Sequence, residues 1–137
     1  MLLLPPSLKP RPFRSGDDDF ARHESPSLFV GQPSAAYGQT FGDGKAIAWF
    51  IPPVPDDSGA AQWVIWIHPD SRHRRIRGRR LGAWVLDHMK RKARRHGCTS
   101  IRAVIRRDNQ RSVVFHERLG FHRVDVADDP VTYLIGV

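Results

Sequence analysis

One cysteine, Cys98, stands in a chain of 137 residues. It cannot close an internal disulfide, so the fold must rest on its core, and a reducing compartment is expected. Long apolar runs are missing too. Met1–Leu4 is too short for the apolar part of a signal peptide, and Pro5-Pro6 closes it. No stretch approaches the length of a membrane span. The expectation is a cytoplasmic protein with no membrane partner. There is no internal repeat. His68, His73, His88, His96, His116 and His122 show no compact metal-ligand spacing with acids or cysteine, which argues against a zinc site. Acidic residues are scarce in one window. Residues 72–111 hold 15 Lys/Arg and 2 Asp/Glu, whereas the rest of the chain holds 7 and 12. Only the second half therefore presents a strong positive field, which attracts phosphate on a nucleotide or a nucleic acid.

What is present fits a globular protein: 40% hydrophobic and 26% charged residues. The length is that of one domain, 1–137, with residues 1–7 expected to be flexible. Such a chain buries about two-thirds of its unfolded surface without staples.

The first half reads as strands broken by Pro and Gly. Leu8–Arg14 suits an edge strand, since Pro10 and Pro12 lack backbone donors. Asp17–Asp19 offer caps for a short helix near Phe20–His23, ended by Ser25-Pro26. Ala36–Phe41, Gly42-Asp43-Gly44 and Ala46–Ile51 read as strand, turn, strand. Ala61–His68 (AQWVIWIH) is apolar and rich in β-branched and aromatic residues, as in a buried strand.

The second half changes character. Leu81, Val85, Met89 and Ala93 recur at helical spacing over Leu81–His96, opposite Lys90, Arg91, Arg94 and Arg95, and Gly97 is a natural stop. Ser100–Ile105 reads as a strand. Asp108-Asn109 caps a second helix, Gln110–Leu119, ended by Gly120. Phe121–Val126 and Val131–Val137 read as closing strands around Asp128-Asp129-Pro130. This mixed order predicts an α+β or α/β sandwich.

Between the Ala61–His68 strand and the first long helix lies RHRRIRGRR, with arginine at six of its nine positions. Strand, loop, helix is a common anion site. The first helical amides lack partners, the dipole favours negative charge, and arginine adds bidentate donors. A solvated basic loop reads equally well on charge alone.

IRGRRLGAWVLDHMKRKARRHG, followed by NQRSVVFHERLGF, resembles the GNAT superfamily of acyl-coenzyme-A-dependent N-acetyltransferases, over about residues 40–137. The family's phosphate loop aligns with Arg77-Gly78-Arg79-Arg80-Leu81-Gly82. Its second signature aligns with Asn109, Ser112, Phe115-His116 and Gly120-Phe121. The departures are Arg80 at a glycine position, a longer loop after Pro69, and a short region between the first two strands, where the family shapes its acceptor pocket.

The resemblance implies a mostly antiparallel, twisted sheet of about seven strands flanked by helices, with a shortened N-terminal helical region. It also implies acetyl transfer from acetyl-CoA to an amine by direct attack in a ternary complex. The cofactor contacts it implies are Arg77, Gly78, Arg79, Arg80, Leu81, Gly82 and Asn109, with backbone amides of Trp66 and Ile67 at a splayed strand end. His116 stands where the family commonly places a tyrosine that serves the leaving thiolate; the alternative is a structural histidine on a helix. The acceptor is a small-molecule or peptide amine. Two other readings stay open: a nucleic-acid-binding protein, and an acyl-CoA-binding module without turnover. A homodimer is compatible with the short acceptor region.

Overall fold

Pro10 and Pro12 cannot donate to a ladder, and the strand they occupy, β1 (Pro10–Pro12), lies at the edge of the sheet. The structure is a computed structural model describing residues 3–28, 33–124 and 129–137. Helix α1 (Asp19–Glu24) follows β1 and ends at Ser25, before Pro26. Its expected cap differs in detail, because the Asp18 side chain makes no capping bond. Asp17 instead accepts from both terminal nitrogens of Arg11 at 2.7 Å, from the Arg14 amide at 2.7 Å and from the Thr40 hydroxyl at 2.8 Å. Asp17 thus ties β1 to the next strand.

The Arg11 guanidinium, with Arg14 N–H and Thr40, lowers the Asp17 pKa to about 2. The sign follows from linkage. The unfolded chain takes up this proton first, so the stabilisation is full above the ordinary carboxyl pKa near 3.8 and is lost as pH falls towards 2. We expect Asp17→Asn to cost about 2 kcal/mol at pH 7, the scale of hydrogen bonds to a charged group. Urea unfolding checks this; an unchanged midpoint would contradict it.

Strands β2 (Gly38–Phe41) and β3 (Ala46–Ile51) pair antiparallel with Phe41 opposite Ala46. The loop of residues 42–45 between them holds positive φ at Gly42, Asp43 and Gly44 (56°, 56° and 96°), and Lys45 N–H closes it on Phe41 O at 3.0 Å. Next come β4 (Ala60–Ile67), β5 (Arg75–Ile76), β6 (Arg79–Arg80) and helix α2 (Leu81–Arg95). Then follow β7 (Ser100–Ile105), α3 (Gln110–Arg118), β8 (His122–Arg123) and β9 (Val131–Gly136). Among the described residues, seven strands form one sheet in the order β1-β2-β3-β4-β7-β9-β8, and β5 and β6 form a separate ribbon. The sheet is mostly antiparallel; β4 and β7 run parallel. Their ladder pairs Ala60–Gln62 with Ser100–Arg102 and extends no further among the described residues.

Contacts divide the chain into two compact units, residues 1–51 with 64–89 and residues 52–63 with 90–137. In the first, Phe13, Ala21, Ile47, Trp49 and Trp66 form one buried cluster. In the second, Ile101, Ala103 and Ile105 alternate inward along β7, and buried Tyr133 and Val131 stand opposite Ala103 and Ile105 on β9.

Both long helices end as their glycines predict. Gly97 has φ 81° while Cys98 N–H reaches Ala93 O at 3.0 Å and Gly97 N–H reaches Arg94 O at 2.9 Å. Gly120 (φ 100°) repeats the pattern, with Phe121 N–H on His116 O at 3.1 Å. These paired bonds satisfy the last carbonyls of each helix. Phe121 is therefore spent in closing α3, and β8 starts one residue later than predicted. Residues 125–128, in the predicted Phe121–Val126 strand and its turn, lie outside the described residues.

Candidate functional site

The arginine stretch is not a loop running into a helix. It folds into a two-stranded ribbon with Arg75 opposite Arg80 and Ile76 opposite Arg79. Arg77 and Gly78 form its turn with φ 52° and 77°. Both central residues of such a turn need positive φ, which glycine adopts at no steric cost and arginine adopts at a cost of about 1–2 kcal/mol. Gly78 therefore reverses the chain; a Cβ there would meet nothing within 4 Å, so it makes no close helix approach. Trp84 on the first turn of α2 fixes the ribbon by donating its indole N–H to Ile76 O at 2.9 Å.

The arginines divide into two sets. Arg79 is committed: it bonds Asp87 at 2.8 Å and lies 4.5 Å over the Trp84 ring. Arg75 donates to Gly78 O at 3.3 Å. Among the described residues, Arg74, Arg75, Arg77 and Arg80 have no acidic partner, and all four are exposed. Two like charges directly opposite on a ribbon repel, so Arg75 and Arg80 make a pair that an anion would relieve. The ribbon leads straight into α2, whose first turn carries no acidic residue. Leu81 is fully buried and Gly82 is buried, so the Leu81 side chain is not open to a ligand.

At the end of β4, Trp66 is buried and donates its indole N–H to Glu24 at 3.3 Å. Ile67 O accepts Arg72 Nε at 3.2 Å. The backbone amides of Trp66 and Ile67 lie on the stretch of β4 beyond its ladder with β7.

The second unit holds the other two predicted residues. Asn109 caps α3, accepting from the Ser112 amide at 3.3 Å. His116 is 4% exposed. Its Nδ1 lies 2.8 Å from Ser112 O, and its Nε2 accepts the Trp63 indole N–H at 3.1 Å. These partners fix the tautomer with the proton on Nδ1. Burial lowers its pKa to about 4, against the weaker raising effect of Ser112 O, so the ring is neutral at pH 7. The expected proton donor is an imidazole whose single N–H already serves a backbone carbonyl. Trp63 stacks on Phe121 at 5.6 Å and 20°, completing an aromatic packing group around His116. The sequence motif marked position 116 but held no sign of this partner, which stands 53 residues earlier.

Among the described residues there is no cluster able to hold a metal ion, and no helix is long and apolar enough to cross a membrane. The acetyltransferase (GNAT) family profile matches residues 4–121. The chain belongs to that family. No curated protein matches it. Solved structures share the fold. A phosphinothricin acetyltransferase of Sinorhizobium meliloti in complex with acetyl-CoA is 16% identical, with a TM-score of 0.61 over 96% of this chain and 88% of that one. A variant of the spermidine N-acetyltransferase SpeG of Vibrio cholerae is 12% identical, with a TM-score of 0.64 over 95% and 94%. The GNAT domain of S. lividans PAT is 16% identical with a TM-score of 0.56, and the chain spans 60% of its length.

Proposed function

We propose that this protein transfers an acetyl group from acetyl-CoA to a primary amine. Family membership supports acetyl transfer in general. The observation that carries the cosubstrate is the ribbon–helix junction, where four exposed arginines, without acidic partners among the described residues, lead into a helix whose first turn is free of acid. That donor set suits a diphosphate, which takes backbone N–H groups at a helix start and guanidinium forks beside it. Arg77 and Arg80 supply the forks, and the amides of Leu81 and Gly82 supply the helix start. Arg79 and Gly78 shape the ribbon.

The chemistry balances simply. The neutral amine attacks the thioester carbonyl, a C–N bond forms, the C–S bond breaks and coenzyme A leaves as thiolate. An amide N–H at Trp66 or Ile67 meets the charge growing on the carbonyl oxygen. One proton leaves the attacking nitrogen, the thiolate gains one, and both exchanges run through water. His116 serves as a positioning residue: its two bonds hold Trp63 and the body of α3, and the proton transfer assigned to that position in the family falls to solvent here.

A thiol-release assay with acetyl-CoA and a panel of primary amines tests this reading. Saturable release that depends on one class of amine is expected; coenzyme A binding with no release across the panel would leave a binding module. The same four arginines also favour a nucleic-acid backbone as a second reading. That reading requires binding of transfer RNA that falls steeply with salt and is not displaced by coenzyme A.

A further inference from the structure

A second cluster in the first unit joins residues far apart in the chain. Glu24 ends α1, Trp66 and His68 stand at the end of β4, and Arg72 follows the short 3-10 turn Pro69–Ser71. Glu24 Oε1 accepts from Trp66 and from Arg72 Nη2, and its Oε2 accepts from Ser25. Phe20 stacks on His68 at 4.8 Å and 12° and meets Trp66 edge-on at 5.9 Å. Phe20 is nonetheless 53% exposed, so a large aromatic surface stays open beside an ion pair.

The polar atoms left over define a pattern. His68 Nδ1 accepts the Asp70 amide at 3.1 Å, so the ring's proton is on Nε2. Among the described residues that N–H has no acceptor, and Arg72 Nη1 has no partner either. Glu24 Oε2 keeps one lone pair after Ser25. Two donors and one anionic acceptor thus remain in the cluster, and the exposed Asp70 carboxylate lies 3.8 Å from His68 Nδ1. Ser25, with Arg72 and Trp66, holds the Glu24 carboxyl below its usual pKa, so it is ionised at neutral pH and suited to bind an ammonium group rather than keep its proton. An ammonium alone would gain little from Arg72 and His68. A carboxylate alone would be repelled by Glu24. A molecule carrying both groups uses all three.

Given the acetyl-transfer reading above, the geometry points to an amino-acid-like acceptor: its amine on Glu24, its carboxylate on Arg72 and His68, and its apolar part against Phe20. The cluster hangs on the last residues of β4, whose amides that reading assigns to the thioester.

The test compares L-phenylalanine with phenethylamine and L-leucine with isoamylamine. Saturation-transfer NMR reports binding without turnover, and thiol release reports kcat/KM. The wild-type protein should bind the amino acids and use them at least ten-fold better than the matched amines. Phe20→Ala, at an exposed position, should raise the KM for both amino acids several-fold with kcat little changed. Arg72→Gln should erase the preference for the carboxylate, and coenzyme A affinity should be unchanged in both variants. Equal use and binding of amino acids and matched amines overturns the inference while leaving acetyl transfer intact. So does an Arg72→Gln variant that lowers amino acids and matched amines alike. No binding of either amino acid by NMR overturns it even where no turnover is seen. Loss of coenzyme A binding by the wild-type protein would instead strike the reading on which the inference rests.

Discussion

Reversing two charges on the ribbon, Arg77→Glu with Arg80→Glu, is expected to weaken coenzyme A binding about 100-fold. Each charge-assisted bond to phosphate contributes about 1.5–3 kcal/mol, and losing two removes at least 3 kcal/mol, which converts to a factor near 100. Both side chains are exposed and have no acidic partner among the described residues, so the fold should keep its Tm. A matched control separates a local grip from a general field. Arg94→Glu with Arg95→Glu changes the net charge equally at the other end of α2, about 20 Å of helix away. It should cost less than three-fold in affinity at physiological salt, where the Debye length is about 8 Å. Isothermal titration at two ionic strengths decides. Equal losses in both double variants would show that the ribbon holds no phosphate in particular.

The second large effect concerns acid stability. His116 is buried and neutral, with a folded pKa near 4 against about 6.5 in the unfolded chain. The unfolded state takes up a proton first. Stability therefore declines as pH falls from 6.5 to 4 and levels off below that, a total of about 3 kcal/mol from this group. Above pH 6.5 the group contributes no pH dependence. His116→Phe should flatten this part of the curve. It should also lower stability at pH 7 by about 1–3 kcal/mol, because the Trp63 indole N–H loses its buried acceptor. Urea unfolding between pH 4 and pH 8 gives both numbers. A variant as acid-sensitive as the wild-type protein would contradict the neutral, enclosed imidazole. The pH–rate profile adds a further readout. A positioning role leaves its shape unchanged in His116→Phe, whereas a proton-donating role removes a limb.

Legibility in the sequence followed the range of the forces. The bounds of β7 and α2, the Asn109 cap and the closures at Gly97 and Gly120 were readable, since each depends on neighbours within one helical turn or on strict alternation. The strand, turn and strand around Gly42-Asp43-Gly44 followed from turn chemistry for the same reason. The ribbon was missed. Its strands are two residues long, and its flanks are arginines instead of alternating apolar residues, so only Arg77-Gly78 hinted at a turn. Trp84 supplies the anchor, eight residues beyond the carbonyl it binds. Longer reach hid more. Arg72 meets Glu24 across 48 positions, and Trp63 meets His116 across 53. Nothing local to those residues signals a partner. The motif at His116 thus marked a position, while the chemistry there was set by the Trp63 bond and by burial.

The most direct measurement is calorimetric titration of the full chain with coenzyme A at low salt. Grip of the diphosphate by the α2 amides with Arg77 and Arg80 predicts one saturable site, with a Kd in the micromolar range usual for enzyme substrates and weakening as salt rises. No heat up to millimolar coenzyme A, or binding indifferent to Arg77→Glu with Arg80→Glu, would contradict it.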